Sequence, residues 1–243
     1  MIKITNLYKS FGDKQVLKGV NLKIEDGETI VIIGRSGEGK SVLIKHIVGL
    51  LIPDSGFVEV ENQNVFDLST KQLYELRKKF GFLFQGSALF DSMTVEENIS
   101  LPLVESKNGF PKSEIDKIVS EKLELVGLPG IQSLKPSELS GGMKKRVGLA
   151  RALVTNPNYI LYDEPTTGLD PIMSDSIDKL IKDLSEKLKV TSVVVTHDMN
   201  SVKNVANTVA MLHEGIIYFN GTPNELMTSN DETIINFIKR SGF

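Results

Sequence analysis

The chain has 243 residues, 40% of them apolar and 24% charged, enough to bury a sizeable core as one large domain or a domain with a subdomain. It contains no cysteine, which excludes disulfides, zinc–thiolate sites and thiolate-held iron–sulfur clusters within the chain and fits a reducing cytoplasm. The formal net charge of −3 argues against the broad basic surface of a nucleic-acid binder.

The N-terminus, MIKITNLYKSFGDK, alternates apolar and polar residues and lacks the apolar centre of a signal peptide. Val20, Leu22 and Ile24 alternate with polar neighbours as in a half-buried strand, and Asp26-Gly27 reads as a hairpin turn. TIVIIG (29–34) is a short continuous apolar run, the pattern of a buried parallel strand. It leads into a Gly-rich loop and an apolar helix over Val42–Leu50. The apolar stretch VLIKHIVGLLIP is broken by Lys45 and His46 and falls short of the roughly 18 residues of a membrane span. FVEVENQNV (57–65) alternates again. The middle is helical: Thr94-x-x-Glu97 is a capping box, and Ser113-x-x-Asp116 resembles another. Ile115, Ile118, Val119, Leu123 and Val126 follow at helical spacing. After a loop over Pro129–Pro136, SELSGGMKKRVGLAR (137–151) opens a helix that Pro157 closes. YILY (159–162) and SVVVT (192–196) are buried strands, separated by a helix with Ile177, Leu180, Ile181, Leu184 and Leu188 on one face. VAMLHEGIIYFNG (209–221) is a hairpin turning at Glu214-Gly215. The order predicts an α/β core with a helical insertion over 87–157.

GRSGEGKS, Gly34-Arg35-Ser36-Gly37-Glu38-Gly39-Lys40-Ser41, matches G-x-x-x-x-G-K-S/T between a buried strand and a helix that begins near Val42. Its glycines let successive N–H groups turn inward around a phosphate. Lys40 brings positive charge to the β- and γ-phosphates of a nucleotide, and the Ser41 hydroxyl is placed for Mg²⁺. ILYDEP (160–165) sets two acids at a strand end. Asp163 suits the oxygen shell of Mg²⁺, and Glu164 lies where a carboxylate polarises the attacking water. His197 ends SVVVT on the same sheet edge. A histidine there donates to the γ-phosphate, against the blander reading of a surface or core residue. Gln85 in FLFQG offers an amide to Mg²⁺ or the lytic water. Phe11 reads either as a hydrophobic plug or as a stacking surface for adenine.

A second Gly-rich helix opening, Ser140-Gly141-Gly142, duplicates the phosphate-facing chemistry of the first. The order of the G-x-x-x-x-G-K-S loop, Gln85, LSGGM, ILYDEP, TGLD and His197, spanning about residues 2–225, resembles the ATP-binding cassette (ABC) ATPases. The resemblance implies a P-loop, RecA-like lobe with an N-terminal antiparallel sheet (1–86 and 158–243) and a helical lobe (87–157) carrying the signature. It also implies a head-to-tail homodimer with two ATPs. In that dimer Ser140, Gly141, Gly142 and Met143 of one copy face the nucleotide on Lys40 of the other, and Asp170 of TGLD links the two sites. ATP and Mg²⁺ are the implied cofactors and a separate integral-membrane permease the implied partner. The implied location is peripheral, on the cytoplasmic face of the inner membrane.

A narrower likeness rests on LFQGSALFDSMTVEENISLPL, PSELSGGMKKRVGLARAL and DEPTTGLDPI, with Met143 where a signature glutamine is usual. These resemble the Mce-associated, Mla-type lipid-transport ATPases and imply phospholipid transport with an Mce-domain protein. The expected permease surface is Ala88–Met93. Alternatives are an amino-acid or other small-solute import ATPase, or a soluble cassette outside transport. Arg35 and Val42 depart from the Pro and Thr common in this loop, and with Phe243 soon after the last apparent helix no long C-terminal extension is expected.

Overall fold

The computed structural model describes residues 1–105 and 109–241, so Phe243 lies outside it. Strands β1 (Ile2–Phe11) and β2 (Lys14–Ile24) pair antiparallel, with Ile2, Ile4, Val20, Leu22 and Ile24 inward. β3 (Thr29–Ile33) does not pair with β2. It enters a second sheet, so Asp26-Gly27 is a crossing between sheets and not the hairpin expected. Turn residues report local backbone angles; the apolar pattern that follows decides which sheet the next strand joins. The helix α1 (Lys40–Ile47) starts two residues earlier than its apolar stretch suggested. The alternating stretch after it is interrupted: β4 (Ser55–Val60) and β5 (Gln63–Asn64) flank a turn in which Glu61 and Asn62 have positive φ. The first sheet has the order β2-β1-β4-β5.

The second sheet adds β6 (Phe80–Leu83), β7 (Tyr159–Asp163), β8 (Thr191–Thr196), β9 (Thr208–His213) and β10 (Ile216–Gly221), in the order β10-β9-β3-β8-β7-β6. It is parallel from β9 to β6, and β10 returns antiparallel through the expected Glu214-Gly215 turn. Both faces are buried, which explains the continuous apolar runs. Val31, Ile33, Ile160, Tyr162 and Val194 face one core. Ile30, Ile32, Leu161, Val193 and Val195 face the other, against the antiparallel sheet and α1.

The first core holds the helical layer: α3 (Val95–Val104), α4 (Lys112–Leu125), α5 (Gly141–Leu153), α6 (Pro171–Leu188) and α7 (Met199–Val205). The Thr94–Glu97 capping box forms as expected. The Ser113–Asp116 box does not. Pro111 is the N-cap, α4 is already under way at Ser113, and Asp116 instead pairs with Lys112 at 2.9 Å. Ile177, Leu180, Ile181 and Leu184 of α6 are buried, but Leu188, in its last turn, is exposed. Helix α2 (Thr70–Arg77) was not foreseen, although Ser69 and Gln72 form a complete capping box at its start. α8 (Pro223–Met227) and α9 (Glu232–Arg240) close the chain, with Leu226, Ile234 and Phe237 buried. Among the described residues no helix is long and apolar enough to cross a membrane.

Asp178 is buried between α6 and α7. It accepts hydrogen bonds from Ser201 Oγ (3.0 Å) and Asn204 Nδ2 (3.3 Å). Burial first, and then the neighbouring Asp198 and Asp175, push its carboxyl up to about 6, against the two hydrogen bonds that favour the ionised form. A raised carboxyl holds its proton longer in the folded state than in the unfolded one. Stability is therefore greatest below about pH 4 for this group and falls as pH rises towards 6, at a cost on the order of 2–3 kcal/mol. Asp178→Asn is expected to stabilise the chain at pH 7.5 by about 1–2 kcal/mol, the gain being reduced because the amide's NH₂ has two donors to re-house beside Ser201 and Asn204. The thermal midpoint should rise by a few degrees, and the rise should vanish at pH 4. A midpoint that falls at both pH values would show that the ionised carboxylate is the better partner for Ser201 and Asn204.

Candidate active site

β3, β8 and β7 lie side by side and parallel, so the loops that follow them converge on one sheet edge. The loop after β3 is Gly34–Gly39. Gly39 has φ 104°, and a Cβ there would sit 2.6 Å from Val16 Cγ1, so both conformation and space require glycine. It caps α1 without a side-chain hydrogen bond, leaving the first N–H groups of the helix and the positive end of its dipole facing the loop. Arg35, Ser36 and Gly37 are exposed, and Val42 is half-buried in the first turn of α1. The Val42 carbonyl accepts from Nδ1 of buried His46 at 2.7 Å, and burial holds that imidazole below its ordinary range. Glu38 bends back, accepting from the Arg35 N–H at 2.9 Å and lying 3.2 Å from His213 Nδ1.

Lys40 is buried. Its ammonium donates to the Gly34 carbonyl (2.8 Å) and the Arg35 carbonyl (3.3 Å) and lies 3.3 Å from Glu164 Oε1. Ser41 Oγ donates to Asp163 Oδ1 at 2.6 Å, so a hydroxyl and a carboxylate converge at the end of β7. These are hard oxygen ligands of the kind Mg²⁺ takes, and they leave the rest of its shell to phosphate and water. Glu164 is buried with φ 49°, a strained angle for a non-glycine residue, and its N–H donates to the Val195 carbonyl of β8. Its Oε2 accepts from Thr167 Oγ1 (3.0 Å) and lies 2.9 Å from His197 Nδ1. The other face of His197 is open, the side chain being 57% exposed. Lys40, Ser41, Asp163, Glu164 and His197 thus meet in one place.

Phe11 ends β1 and is 48% exposed, with Lys9 Nζ 5.5 Å from the ring centroid. That exposure overturns the plug reading, with the Lys9 ammonium lying over the ring. Gln85 is exposed just past β6, and its carbonyl accepts from the buried Lys145 ammonium of α5. Ser140 caps α5 by accepting from the Met143 N–H (3.3 Å); Ser140 and Gly141 are exposed, and Met143 packs half-buried on the core. Gly142 is buried beside Met173 of α6. Asp170, exposed, caps α6 by accepting from the Met173 N–H at 2.9 Å. A cleft of about 580 Å³ opens beside the Gly34–Gly39 loop, lined by Arg35, Ser36, Thr166, Thr167, His197 and Arg240 among others. The signature residues do not line it. Sequence reasoning missed Thr167, three residues after Glu164, and Lys145, whose neighbours come from distant segments.

The ABC transporter family matches residues 17–167, more than half of the chain. The chain belongs to the ABC transporter family. It is 42% identical to the probable ribonucleotide transport ATP-binding protein Mkl of Mycobacterium leprae, over 96% of this chain and 67% of that protein. The corresponding Mycobacterium tuberculosis proteins are spanned over 65% of their length. The intermembrane phospholipid transport system ATP-binding protein MlaF of Haemophilus influenzae is 40% identical, over 98% of this chain and 90% of that one. The methionine import ATP-binding protein MetN of Clostridioides difficile is 42% identical, over 98% and 74%. A solved dimeric ATP-binding cassette in a post-hydrolysis state, bound to ADP and Pi, superposes with a TM-score of 0.84 at 36% identity, over 92% of this chain and 99% of that one. The ABC chain is therefore an ATP-binding, ATP-hydrolysing cassette with a P-loop α/β fold.

Proposed function

We propose that this ABC ATPase energises a membrane transporter of phospholipids, acting as a homodimer that closes on ATP and reopens after hydrolysis. In this reading Lys40 and the N–H groups of Gly34–Val42 hold the phosphates, Phe11 stacks on adenine, and Ser41, Asp163 and Gln85 hold Mg²⁺. When bound, the metal neutralises charge on the β- and γ-phosphates. Glu164 accepts a proton from the attacking water, steadied by Thr167 and His197. Ser140, Gly141, Gly142 and Met143 complete the partner's site, with Asp170 connecting the two. The division of labour is a core lobe (1–86 and 158–243) and a signature lobe (87–157), at the cytoplasmic face of the inner membrane.

The observation that carries the coupling role is an apolar groove of about 890 Å³, whose lining includes Phe82, Phe84, Ala88, Phe90, Leu101 and Ile118. The Phe82 and Phe84 rings stack at 4.1 Å, and Phe90 is half-exposed. The groove flanks Gln85 in the chain, with Phe82 and Phe84 before it and Ala88 and Phe90 after it, so a permease segment seated there presses on the Gln85 loop. The expected surface at Ala88–Met93 divides: Ala88 and Phe90 line the groove, whereas Leu89 packs against the core. The phospholipid assignment is supported by the likeness to MlaF over nearly the whole of both chains. An Mce-domain protein is the further partner in this proposal. The likeness to MetN keeps a small-solute import ATPase as the second reading.

Phe90→Asp is expected to leave folding and basal ATP turnover within about twofold of the parent chain. It should weaken association with the permease at least tenfold, because a carboxylate is buried without a partner on docking. Pull-down with the permease and ATPase assays in proteoliposomes check this. Unimpaired stimulation would remove the groove from coupling. Lipid-dependent stimulation and movement of labelled phospholipid, with no response to methionine, decide between the two substrates.

A further inference from the structure

Helix α5 does more than present Ser140. It lies against β6 and the loop after it so closely that a Cβ on Gly148 would come within 2.9 Å of Leu83 Cδ1 and 3.3 Å of the Ser87 carbonyl oxygen. A Cβ on Gly81 of β6 would come within 2.5 Å of the Ala152 carbonyl oxygen. Two cations of α5 then hold main-chain carbonyls. Arg151 donates to the carbonyls of Ser87 and Ala88, each at 2.8 Å. Lys145, 5% exposed, donates to the Gln85 carbonyl and, at 3.2 Å, to the carbonyl of Glu164.

We propose that Lys145 is a positioning residue for ATP hydrolysis: its buried ammonium ties the signature helix, the Gln85 loop and the backbone of Glu164 into one unit. The inference rests on the reading of Glu164 as the group that activates water. A carbonyl only accepts hydrogen bonds, so two carbonyls from segments 79 positions apart, Gln85 and Glu164, do not hold each other; they need a shared donor. An ammonium supplies three donors on a long stem. Its charge is offset by the two carbonyl dipoles and by Asp163 and Glu164, although burial still holds the group below its ordinary range. The strained backbone of Glu164 is over-determined by this contact from α5 and by its own N–H bond to Val195. A shift of α5, whether from a partner's nucleotide at Ser140 or from the Gln85 loop, therefore reaches the catalytic carboxylate through its main chain. Lys145 touches neither phosphate nor water in this role, so it acts on the rate of the chemical step more than on nucleotide affinity.

The test compares Lys145→Met, which keeps stem length without donors, with Lys145→Gln, whose shorter amide offers two. Steady-state ATP hydrolysis, nucleotide binding and thermal unfolding are measured on the full chain. Lys145→Met is expected to lower kcat about 10–100-fold with KM for ATP within about threefold, and Lys145→Gln to recover part of the loss. Wild-type kcat in Lys145→Met overturns the proposal, as does equal loss in Met and Gln variants or a loss confined to KM. Should the Met variant fail to fold, the Gln variant decides alone. A kcat lowered about 3–10-fold at unchanged KM supports the tether, and wild-type kcat overturns it. Turnover by the parent chain is the control on the reading beneath. If the parent hydrolyses ATP and Glu164→Gln does not, that reading holds whatever Lys145 does.

Discussion

Glu164→Gln is expected to lower ATP turnover by about 10²–10⁴-fold and to leave ATP binding intact. The reason is local. Oε2 of Glu164 is fixed by the Thr167 hydroxyl and His197 Nδ1, and Oε1 lies beside the Lys40 ammonium. The isosteric amide retains the shape and an acceptor for Thr167, but it is a poor base for a water proton. It also removes a carboxylate from the neighbourhood of Lys40, which frees that cation for phosphate. Binding is therefore expected to be equal to or tighter than that of the parent. Lys40→Ala is expected to give the opposite signature, losing nucleotide affinity as well as turnover, because the buried cation of the proposed phosphate site is gone. Phosphate release and equilibrium binding of a labelled ATP separate the two. Hydrolysis by Glu164→Gln at the parent rate would sink the role assigned to Glu164.

How these residues meet was legible in the sequence where chemistry and local structure impose the same constraint. The apolar runs of β3, β7 and β8 are continuous because both faces are buried. Each run ends at residues whose chemistry suits a phosphate site: Gly34 after β3, Asp163 and Glu164 after β7, His197 after β8. Parallel pairing then puts all three ends on one edge. What stayed hidden depends on packing between distant segments. Asp26-Gly27 carries a turn signature, yet the choice between hairpin and crossing lay with the doubly buried strand that follows. Helix α2 buries Leu76 alone, so its apolar stripe is faint and its capping box was the signal to read. Lys145 looks like one more cation in a basic amphipathic run; it is buried against the carbonyls of Gln85 and Glu164, distant segments that no local pattern announces. Phe11 was ambiguous for the same reason, and the fold exposes its ring; Leu89, within the expected permease surface, packs on the core instead.

An enforced dimer pairing a Lys40→Ala chain with a Ser140→Ala chain is expected to trap nucleotide with vanadate where neither mutant homodimer does so at a comparable level. Ser140 caps α5 while remaining exposed, and its glycines stand at the surface and beside Met173. The cleft beside the phosphate loop is lined by Arg35, Ser36, Thr167 and His197 and not by the signature. In the proposed site the Gly34–Gly39 loop supplies only part of a phosphate shell, and Ser140, Gly141 and Gly142 at the N-terminus of α5 do not line its cleft. A helix N-terminus brings N–H groups and partial positive charge to an anion, and in the proposed head-to-tail dimer a second copy supplies it. In the mixed dimer one site joins the Lys40→Ala loop to the Ser140→Ala signature and is doubly impaired. The other joins an intact Lys40 to an intact Ser140. Were both elements to serve one nucleotide within a chain, every site in the mixed dimer would carry a lesion. Trapping would then be no better than in the homodimers, which is the result that removes the trans assignment. Undiminished trapping in the Ser140→Ala homodimer would instead strike the serine hydroxyl from the mechanism, leaving phosphate recognition to the N–H groups of α5.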